Sequence, residues 1–511
     1  MARRHTQKVK AGTLNNASIQ SLDWSSTIQS LSSDFTAFKA ATDKFVNHLT
    51  NEIKWWNPFS LTAKENASDN PRWHEAKNEP DKAVYWEAMK VEISTLMKLE
   101  ALELVSLKSD MNVLDSTWAF KCKRYPDGSI RKFKPRFCCR GDQQVHGIDY
   151  FDTFAPVVSW TTVRILLILS VILGLDTKQV DYTCACLHAP ITKEVYVHVS
   201  RGFEEDGRVL KLQRSLYGLR QLPRNFFEHL KENLIKVGFT QSQADPCLFI
   251  SENVICLVYV DDTLFYGPNE TDIDIILEKL RKLNMELKVE DDVAGFLGVL
   301  IKKLDGNRIE LTQTGLIKRI LEAMGFEGAI PKATPAETEA LPADKLGIVL
   351  EPSFNYVSVI GMLQDLQGYI RLDISFAVSQ FSRYIHCHTN MHIMALKRIG
   401  RYLLKTLEKG IILKPTSDLT IDWYVDADFA GLCNQEDHND DNCVKSRPGY
   451  VLCISSCPVL WITWLQDGIA LSTMESEYVA LSMAMRDLFS IQTIGTIYLY
   501  WRSMTRKESR I

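Results

Sequence analysis

Two adjacent aspartates, Asp261 and Asp262, interrupt an apolar run that extends from Val254 to Tyr266. Strands that bury one face read this way, and the short polar break reads as a hairpin tip. A carboxylate pair at such a tip suits a divalent cation. Hard ions such as Mg²⁺ take oxygen ligands, usually one or two carboxylates plus substrate phosphates. An isolated Asp-Asp is more commonly an exposed turn; Asp291-Asp292 and Asp440-Asp441, in polar surroundings, fit that description. Aromatic and aliphatic neighbours on both sides set the 261–262 pair apart. A second apolar strand, Lys178-Gln179-Val180-Asp181-Tyr182-Thr183, ends in a lone carboxylate. Alone, Asp181 would be a turn or cap residue; beside Asp261 it completes a carboxylate set drawn from two strands.

Other elements must hold these groups in place. The run Thr161–Gly174 reads as a buried helix, and Ser215–Arg224 leads into a helix that ends near Val237. A helix from Ile273 to Asn284 and a strand Phe296–Ile301 follow the carboxylate hairpin. Upstream, a helix runs from Tyr85 to about Leu99, and Pro126-Asp127-Gly128 marks a turn between two strands. Lys121, Lys123, Arg124, Arg131, Lys132, Lys134, Arg136 and Arg140 cluster on that hairpin, opposed only by Asp127. Basic and aromatic residues in alternation suit contacts to phosphates and to an unpaired base; the plainer reading is a solvated face.

The 511 residues should hold about three domains. An apolar fraction of 46% is ample for a core, and a net charge of −4 confines nucleic-acid binding to local patches. The twelve cysteines show no zinc-finger spacing and, with no signal peptide, read as reduced thiols of an intracellular, cytoplasmic protein. The longest apolar stretch, Ile165–Leu175, is shorter than the roughly 20 residues a membrane span needs. Residues 1–56 form a polar segment in which Asp34–Ile53 could be an amphipathic helix. Helical periodicity governs Tyr356–Thr406, with Lys397, Arg398, Arg401 and Lys405 on one face. A third unit opens with the strand Ile421–Asp428, continues through strands at Gly449–Ile454 and Trp461–Trp464, and enters a helix at Thr473.

The order of these segments resembles the reverse transcriptase of copia-type retrotransposons. The motifs that carry it are Lys134-x-Arg136, Gln179-Val180-Asp181-Tyr182, Ser215-Leu216-Tyr217-Gly218-Leu219-Arg220-Gln221-x-Pro223-Arg224, Tyr259-Val260-Asp261-Asp262 and Phe296-Leu297-Gly298. Arg371-x-Asp373-Ile374 and Lys397-Arg398-Ile399 extend it. Tyr424-Val425-Asp426-Ala427-Asp428, Ser446-Arg447-x-Gly449-Tyr450 and Ala470–Tyr478 look like an appended ribonuclease H. The likeness covers about residues 57–490. It implies an α+β chain: a right-hand polymerase with fingers and palm at 57–301 and a thumb or connection region at 302–415, then a partial ribonuclease H-like α/β domain at 416–511.

The activity implied is RNA-directed DNA synthesis on an RNA template, from a DNA primer and deoxynucleoside triphosphates. Asp181, Asp261 and Asp262 would hold two Mg²⁺ ions, with Mn²⁺ as an alternative. Lys134 and Arg136 would neutralise the triphosphate, and Gln221 would touch the incoming nucleotide. Lys288 is a weaker candidate, as proton donor to pyrophosphate, and Phe296-Leu297-Gly298 would grip the primer. Where the family places an aromatic that excludes a ribose 2′-hydroxyl, this chain has Cys186, preceded by Cys184 at the usual small-residue position. The family's Arg-Pro-Asp reads Arg371-Leu372-Asp373, and Gln364-Asp365 fall in a helix expected to be buried, at a cost of a few kcal/mol. In the ribonuclease H-like part, Asp426 and Glu475 match two of about four required carboxylates, and no acid lies between Asp487 and Glu508. An inactive remnant is the expectation there. Two further readings of the whole chain are a catalytically dead remnant that binds nucleic acid and a metal-dependent nuclease using the last domain alone. His386, Cys387, His388 and His392 lack regular metal-ligand spacing.

Overall fold

The computed structural model describes residues 71–487, apart from 79–81, 125–129, 183–186, 188, 192, 201, 204–205, 261, 291–295, 327, 338–340, 345–346, 349–352, 417–418 and 432–440. It also describes the backbone of the short strand Lys8–Lys10, and within the elements it omits the side chains at 77–78, 123–124, 130–131 and 441–442. The Asp34–Ile53 helix, the Pro126-Asp127-Gly128 turn, Cys184, Cys186 and Asp261 lie outside the described residues. Among those described, no helix is long and apolar enough to cross a membrane.

The chain begins with helices α1 (Trp73–Asn78) and α2 (Lys82–Lys98), then strands β1 (Leu102–Ser106) and β2 (Val113–Leu114). The basic hairpin follows as β3 (Ser116–Arg124) and β4 (Ile130–Cys139). Its register pairs Trp118 with Phe137, Ala119 with Arg136, Lys121 with Lys134 and Lys123 with Lys132. Because strand residues alternate between faces, Lys121, Lys132, Lys134 and Arg136 share one face. Trp118, Phe120 and Phe137 take the other, which is buried against Tyr85 of α2.

Helix α3 (Trp160–Leu173) carries the sequence Thr162–Ser170 with every residue buried, as expected of a helix apolar on nearly every side, Arg164 being the charged exception. Ser159 caps its start by accepting the Thr161 N–H, and Gly174 ends it in the left-handed region at φ 64°. Next come β5 (Asp176–Tyr182), β6 (Tyr196–His198), β7 (Arg208–Leu212) and α4 (Leu222–Lys236), which carries Pro223 in its first turn. Strands β8 (Thr240–Gln241), β9 (Leu248–Ile250), β10 (Ile255–Tyr259) and β11 (Asp262–Gly267) precede α5 (Glu270–Lys282) and β12 (Leu287–Glu290). Six of these form one sheet in the order β12-β5-β11-β10-β9-β8, and β1-β7-β6-β2 form a second. Helix α5 has Asn269 as its N-cap, acids in its first turn and bases in its last, complementing the helix dipole.

The expected strand Phe296–Ile301 is not continuous. Leu297 and Gly298 sit at φ 57° and 73°, turning the chain between Phe296 and Val299, and the strand β13 spans Leu300–Leu304. It pairs with β14 (Arg308–Thr312), which also pairs with a strand about 100 residues further on. Helices α6 (Thr314–Ala323), α7 (Tyr356–Tyr369), α8 (Ser375–Ser382) and α9 (Asn390–Lys405) lead to that strand, β15 (Ile411–Leu413). The third unit is the antiparallel run β16 (Ile421–Ala427), β17 (Pro448–Ile454) and β18 (Cys457–Thr463), then a helix α10 over residues 473–487.

Two apolar cores result. The first joins Phe120, Phe137, Leu210 and Leu212 around the basic hairpin. The second runs without a break through Val180 and Leu257 of the six-stranded sheet, Ile317, Leu363 and Leu403 of the helices, and Leu452, Val459 and Trp461 of the third unit. Arg164 of α3, only 2% exposed, fastens this second core. It donates to the carbonyls of Gly368, Tyr369 and Val459 and lies 3.9 Å from the Trp461 ring centre. Trp461 Nε1 in turn donates to Gln367 O at 2.8 Å, so three successive carbonyls at the end of α7 are taken by side chains.

The expected burial of Gln364 and Asp365 is corrected by α7. Gln364 lies on the outer face, donating to Ser382 Oγ at 3.0 Å, so it escapes the anticipated cost, while Asp365 is half-buried and burial raises its carboxyl pKa, with the Arg319 charge acting against the rise. Leu372 is likewise 37% exposed, while its neighbours Arg371 and Asp373 form a paired fork. Of the histidine group, His392 accepts the Thr389 N–H on Nδ1 and contacts Pro342 O through Nε2, and His388 stacks on Tyr356 at 4.2 Å.

Candidate active site

The hairpin of β10 and β11 closes in register, with Tyr259 opposite Asp262, so the connection is the two residues Val260 and Asp261. Val260 adopts φ 50°, a region that costs a β-branched residue about 1–3 kcal/mol and is tolerated where the surroundings fix it. On its other edge β11 pairs with β5, and Asp262 falls directly opposite Asp181. Strand β12 then places Lys288 directly opposite Asp181 from the far side. Lys288, Asp181 and Asp262 therefore form one row across three strands, on one face of the sheet. Directly opposed residues in antiparallel strands have Cα atoms about 4.5–5.5 Å apart, and like charges in that position repel. The row thus offers two hard oxygen donors held together by backbone register, the donor type that Mg²⁺ or Mn²⁺ takes. Lys288 does not bridge them; its Nζ pairs with Glu290 at 3.0 Å. Among the described residues no third metal-ligating side chain joins the two aspartates.

The basic hairpin is tied to the segment Ser215–Arg224 by close backbone contact. The Cys139 N–H donates to Tyr217 O at 2.8 Å. Gly218, at φ 90°, lies so near Cys139 that a Cβ would sit 2.1 Å from its carbonyl oxygen, so only glycine fits. This contact brings Tyr217 beneath Arg136, whose guanidinium lies 4.7 Å from the ring centre. Glu92 of α2 lies under the basic row. Burial raises its carboxyl pKa, while a hydrogen bond from the Phe137 backbone and the charges of Lys134, Arg136 and Lys132 act against the rise. Gln221, at the start of α4, is 4% exposed. Its amide accepts from Gln144 Nε2 at 3.0 Å and donates to Asp149 O at 3.3 Å. Arg140 turns away from the row into a two-bond pair with Asp142.

Residues 99–338 match the family model described as reverse transcriptase (RNA-dependent DNA polymerase). The chain carries a reverse transcriptase domain of the copia type. Similar proteins include the retrovirus-related Pol polyprotein from transposon RE1 of Arabidopsis thaliana, 34% identical over 381 residues, 72% of this chain and 25% of that one. The corresponding polyprotein from transposon TNT 1-94 of Nicotiana tabacum is 32% identical over 421 residues, 80% and 31% of the two chains. The chain thus spans about a quarter to a third of the length of these relatives. A foamy viral protease-reverse transcriptase, solved in complex with double-stranded DNA, aligns over 79% of this chain and 60% of that one, with a TM-score of 0.41 at 14% identity.

Within the reverse transcriptase domain, the Phe296-Leu297-Gly298 segment is the turn described above. Phe296 lies 6.4 Å from Tyr259, edge to face, which sets the turn beside the carboxylate hairpin. In the third unit the structure revises the carboxylate pair read from sequence. Glu475 accepts the Leu471 N–H at 2.7 Å, and its own N–H donates to Ser472 Oγ, so it serves the N-terminus of α10. Glu477 instead faces Asp426. Burial raises its pKa, and a hydrogen bond shared with Asp426 adds to the rise. Glu477 was missed because Ser-x-x-Glu is also a capping pattern. Residues two apart on a helix point about 200° away from each other, so only one glutamate can reach β16.

Proposed function

We propose that the domain performs RNA-directed DNA synthesis, adding deoxynucleotides to a DNA primer on an RNA template. The observation that carries this reading is the opposition of Asp181 and Asp262 across β5 and β11, inside a matched reverse transcriptase family. In the reaction the primer 3′-oxygen bonds to the α-phosphorus as the bond to pyrophosphate breaks. Asp181 and Asp262, with Asp261 at the hairpin tip, would hold two Mg²⁺, or Mn²⁺ in their place. When bound, the ions supply charge for the attacking and leaving oxygens. The register of three strands keeps the carboxylates in place without reorganisation, which is where preorganised electrostatics gains its effect. Lys134 and Arg136 on the hairpin face supply positive charge for the triphosphate, Arg136 being steadied by Tyr217. Gln221 borders the nucleotide through the shape of its internally bonded loop, and Cys186 would, by the family resemblance, replace the aromatic that excludes a ribose 2′-hydroxyl. Lys288 lends positive charge to the Asp181 row, and the turn at Leu297-Gly298 supports the primer end.

Primer extension on an RNA template tests the reading. Wild type should incorporate nucleotides, and Asp181→Asn and Asp262→Asn should each lose on the order of 10²–10³ in rate, as for loss of one preorganised electrostatic group. Template binding without extension by wild type would overturn it and leave a nucleic-acid-binding remnant. For the third unit the reading is a ribonuclease H-like remnant that does not cut RNA, supported by the lack, among the described residues, of a third metal-ligating side chain grouped with Asp426 and Glu477. Metal-dependent RNA loss from an RNA–DNA hybrid, abolished by Asp426→Asn, would sink that part alone.

A further inference from the structure

Two arginines outside the polymerase site, one buried and one half-buried, lie beside each other with buried donors that lack partners among the described residues. Arg447, just before β17, is 7% exposed, and its guanidinium lies 5.4 Å from the ring of Phe376 on α8. Arg383 caps the end of α8 seven residues after Phe376, two turns along the same face, with its guanidinium 5.3 Å from the Tyr384 ring. Among the described residues, Arg447 Nε and Nη2 and Arg383 Nη1 are buried with no hydrogen-bond partner. The nearby acid is Asp428, whose carboxylate is turned to the Arg447 backbone N–H. Burial lowers the pKa of Arg447, and the Arg383 charge lowers it further, with Asp428 and Tyr384 acting the other way. Buried charges are normally paired, and breaking such a pairing costs about 3–5 kcal/mol. Two like charges packed together sharpen that demand.

We propose that Arg383 and Arg447 form an oxyanion site for a phosphate group, at the junction of α8 and the third unit. Two guanidinium forks present several planar N–H donors, which match phosphate oxygens. Phosphate favours the site over a carboxylate, since one carboxylate has too few oxygens to serve both forks. The phosphate is either free or part of a nucleic-acid backbone. The latter would run past β16, because Asp428 N donates to Arg447 O at 3.1 Å and Asp426 lies two residues upstream. This site is independent of the polymerase reading.

The test is thermal unfolding of the full chain in sodium phosphate against sodium chloride at matched ionic strength, for wild type, Arg447→Gln and Arg383→Gln. Phosphate should raise the wild-type midpoint saturably, and each variant should lose that saturable increment. A second arm measures binding of a phosphodiester oligothymidylate against its uncharged methylphosphonate counterpart. Phosphodiester binding weakened several-fold in the variants assigns a nucleic-acid strand; a response to inorganic phosphate alone assigns free phosphate. No saturable response in wild type, or one unchanged in both variants, overturns the proposal. The wild-type comparison stands even if the glutamine variants fail to fold, and Arg383→Lys, which keeps the charge, provides a milder variant that should retain part of the response.

Discussion

Replacing Arg164 by methionine should destabilise the chain by about 2–4 kcal/mol, and the structure sets out the terms. The substitution leaves the carbonyls of Gly368, Tyr369 and Val459 without their donor. At about 1–2 kcal/mol for each buried unsatisfied group, that is about 3–6 kcal/mol. Losing the stack on Trp461, at 3.9 Å, adds about 1 kcal/mol. Against this, methionine carries no buried charge. The guanidinium now suffers from burial enough to bring its pKa down to about 9, so relief of about 2–3 kcal/mol is reasonable for a group without a carboxylate partner. Urea unfolding followed by tryptophan fluorescence reads the outcome, since Trp160 and Trp461 both flank the site. Arg164→Lys is the control: an ammonium cannot spread over three carbonyls or stack as a plane, so it should recover less than half the loss. A methionine variant within about 0.5 kcal/mol of wild type, or full recovery by lysine, would refute the reasoning.

Three other outcomes follow from the geometry. In a chelator, Asp262→Asn should be more stable than wild type by about 0.2–1 kcal/mol, because it removes a like-charge pair across β5 and β11. Millimolar Mg²⁺ should then stabilise wild type and leave the variant nearly unchanged; equal midpoints in chelator would count against a repelling pair. At Asp373, burial pushes the carboxyl pKa up, but hydrogen bonds from Arg371 and Tyr402 and the charges of Arg371 and Lys409 outweigh it and hold it at about 2. A folded pKa below the unfolded value means the stabilisation is complete above about pH 4 and is lost as pH falls through about 2. Asp373→Asn should accordingly cost about 2 kcal/mol at neutral pH, with wild type and variant converging towards pH 2 in a pH series of unfolding midpoints.

Much of the six-stranded sheet was legible because its signals are local. A break of two aspartates in an apolar run specified the hairpin, and the mainly apolar Thr162–Ser170 announced a buried helix. Asp181 and its neighbours could be placed on a strand, and the register that sets Asp181 opposite Asp262 agrees with pairing those strands. The turn at 297–298 was read as strand because Phe-Leu-Gly-Val-Leu-Ile is apolar throughout; the glycine was the overlooked signal. Gln364 and Asp365 could not be assigned a face from sequence, since which side of α7 is covered depends on α8 and α6. The lone Arg164 inside an apolar helix was visible, but its carbonyl partners lie 204 to 295 residues away. No periodicity reports contacts of that kind.

The undivided apolar interior beneath the six-stranded sheet has a bearing on which side chains of the third unit are held in place. Leu452, Val459 and Trp461 complete a surface that the polymerase half would otherwise expose to water. A module embedded in this manner contributes to the stability of the whole, whatever chemistry it carries. Selection acting on DNA synthesis alone would guard those three side chains while letting Asp426 and Glu477 wander.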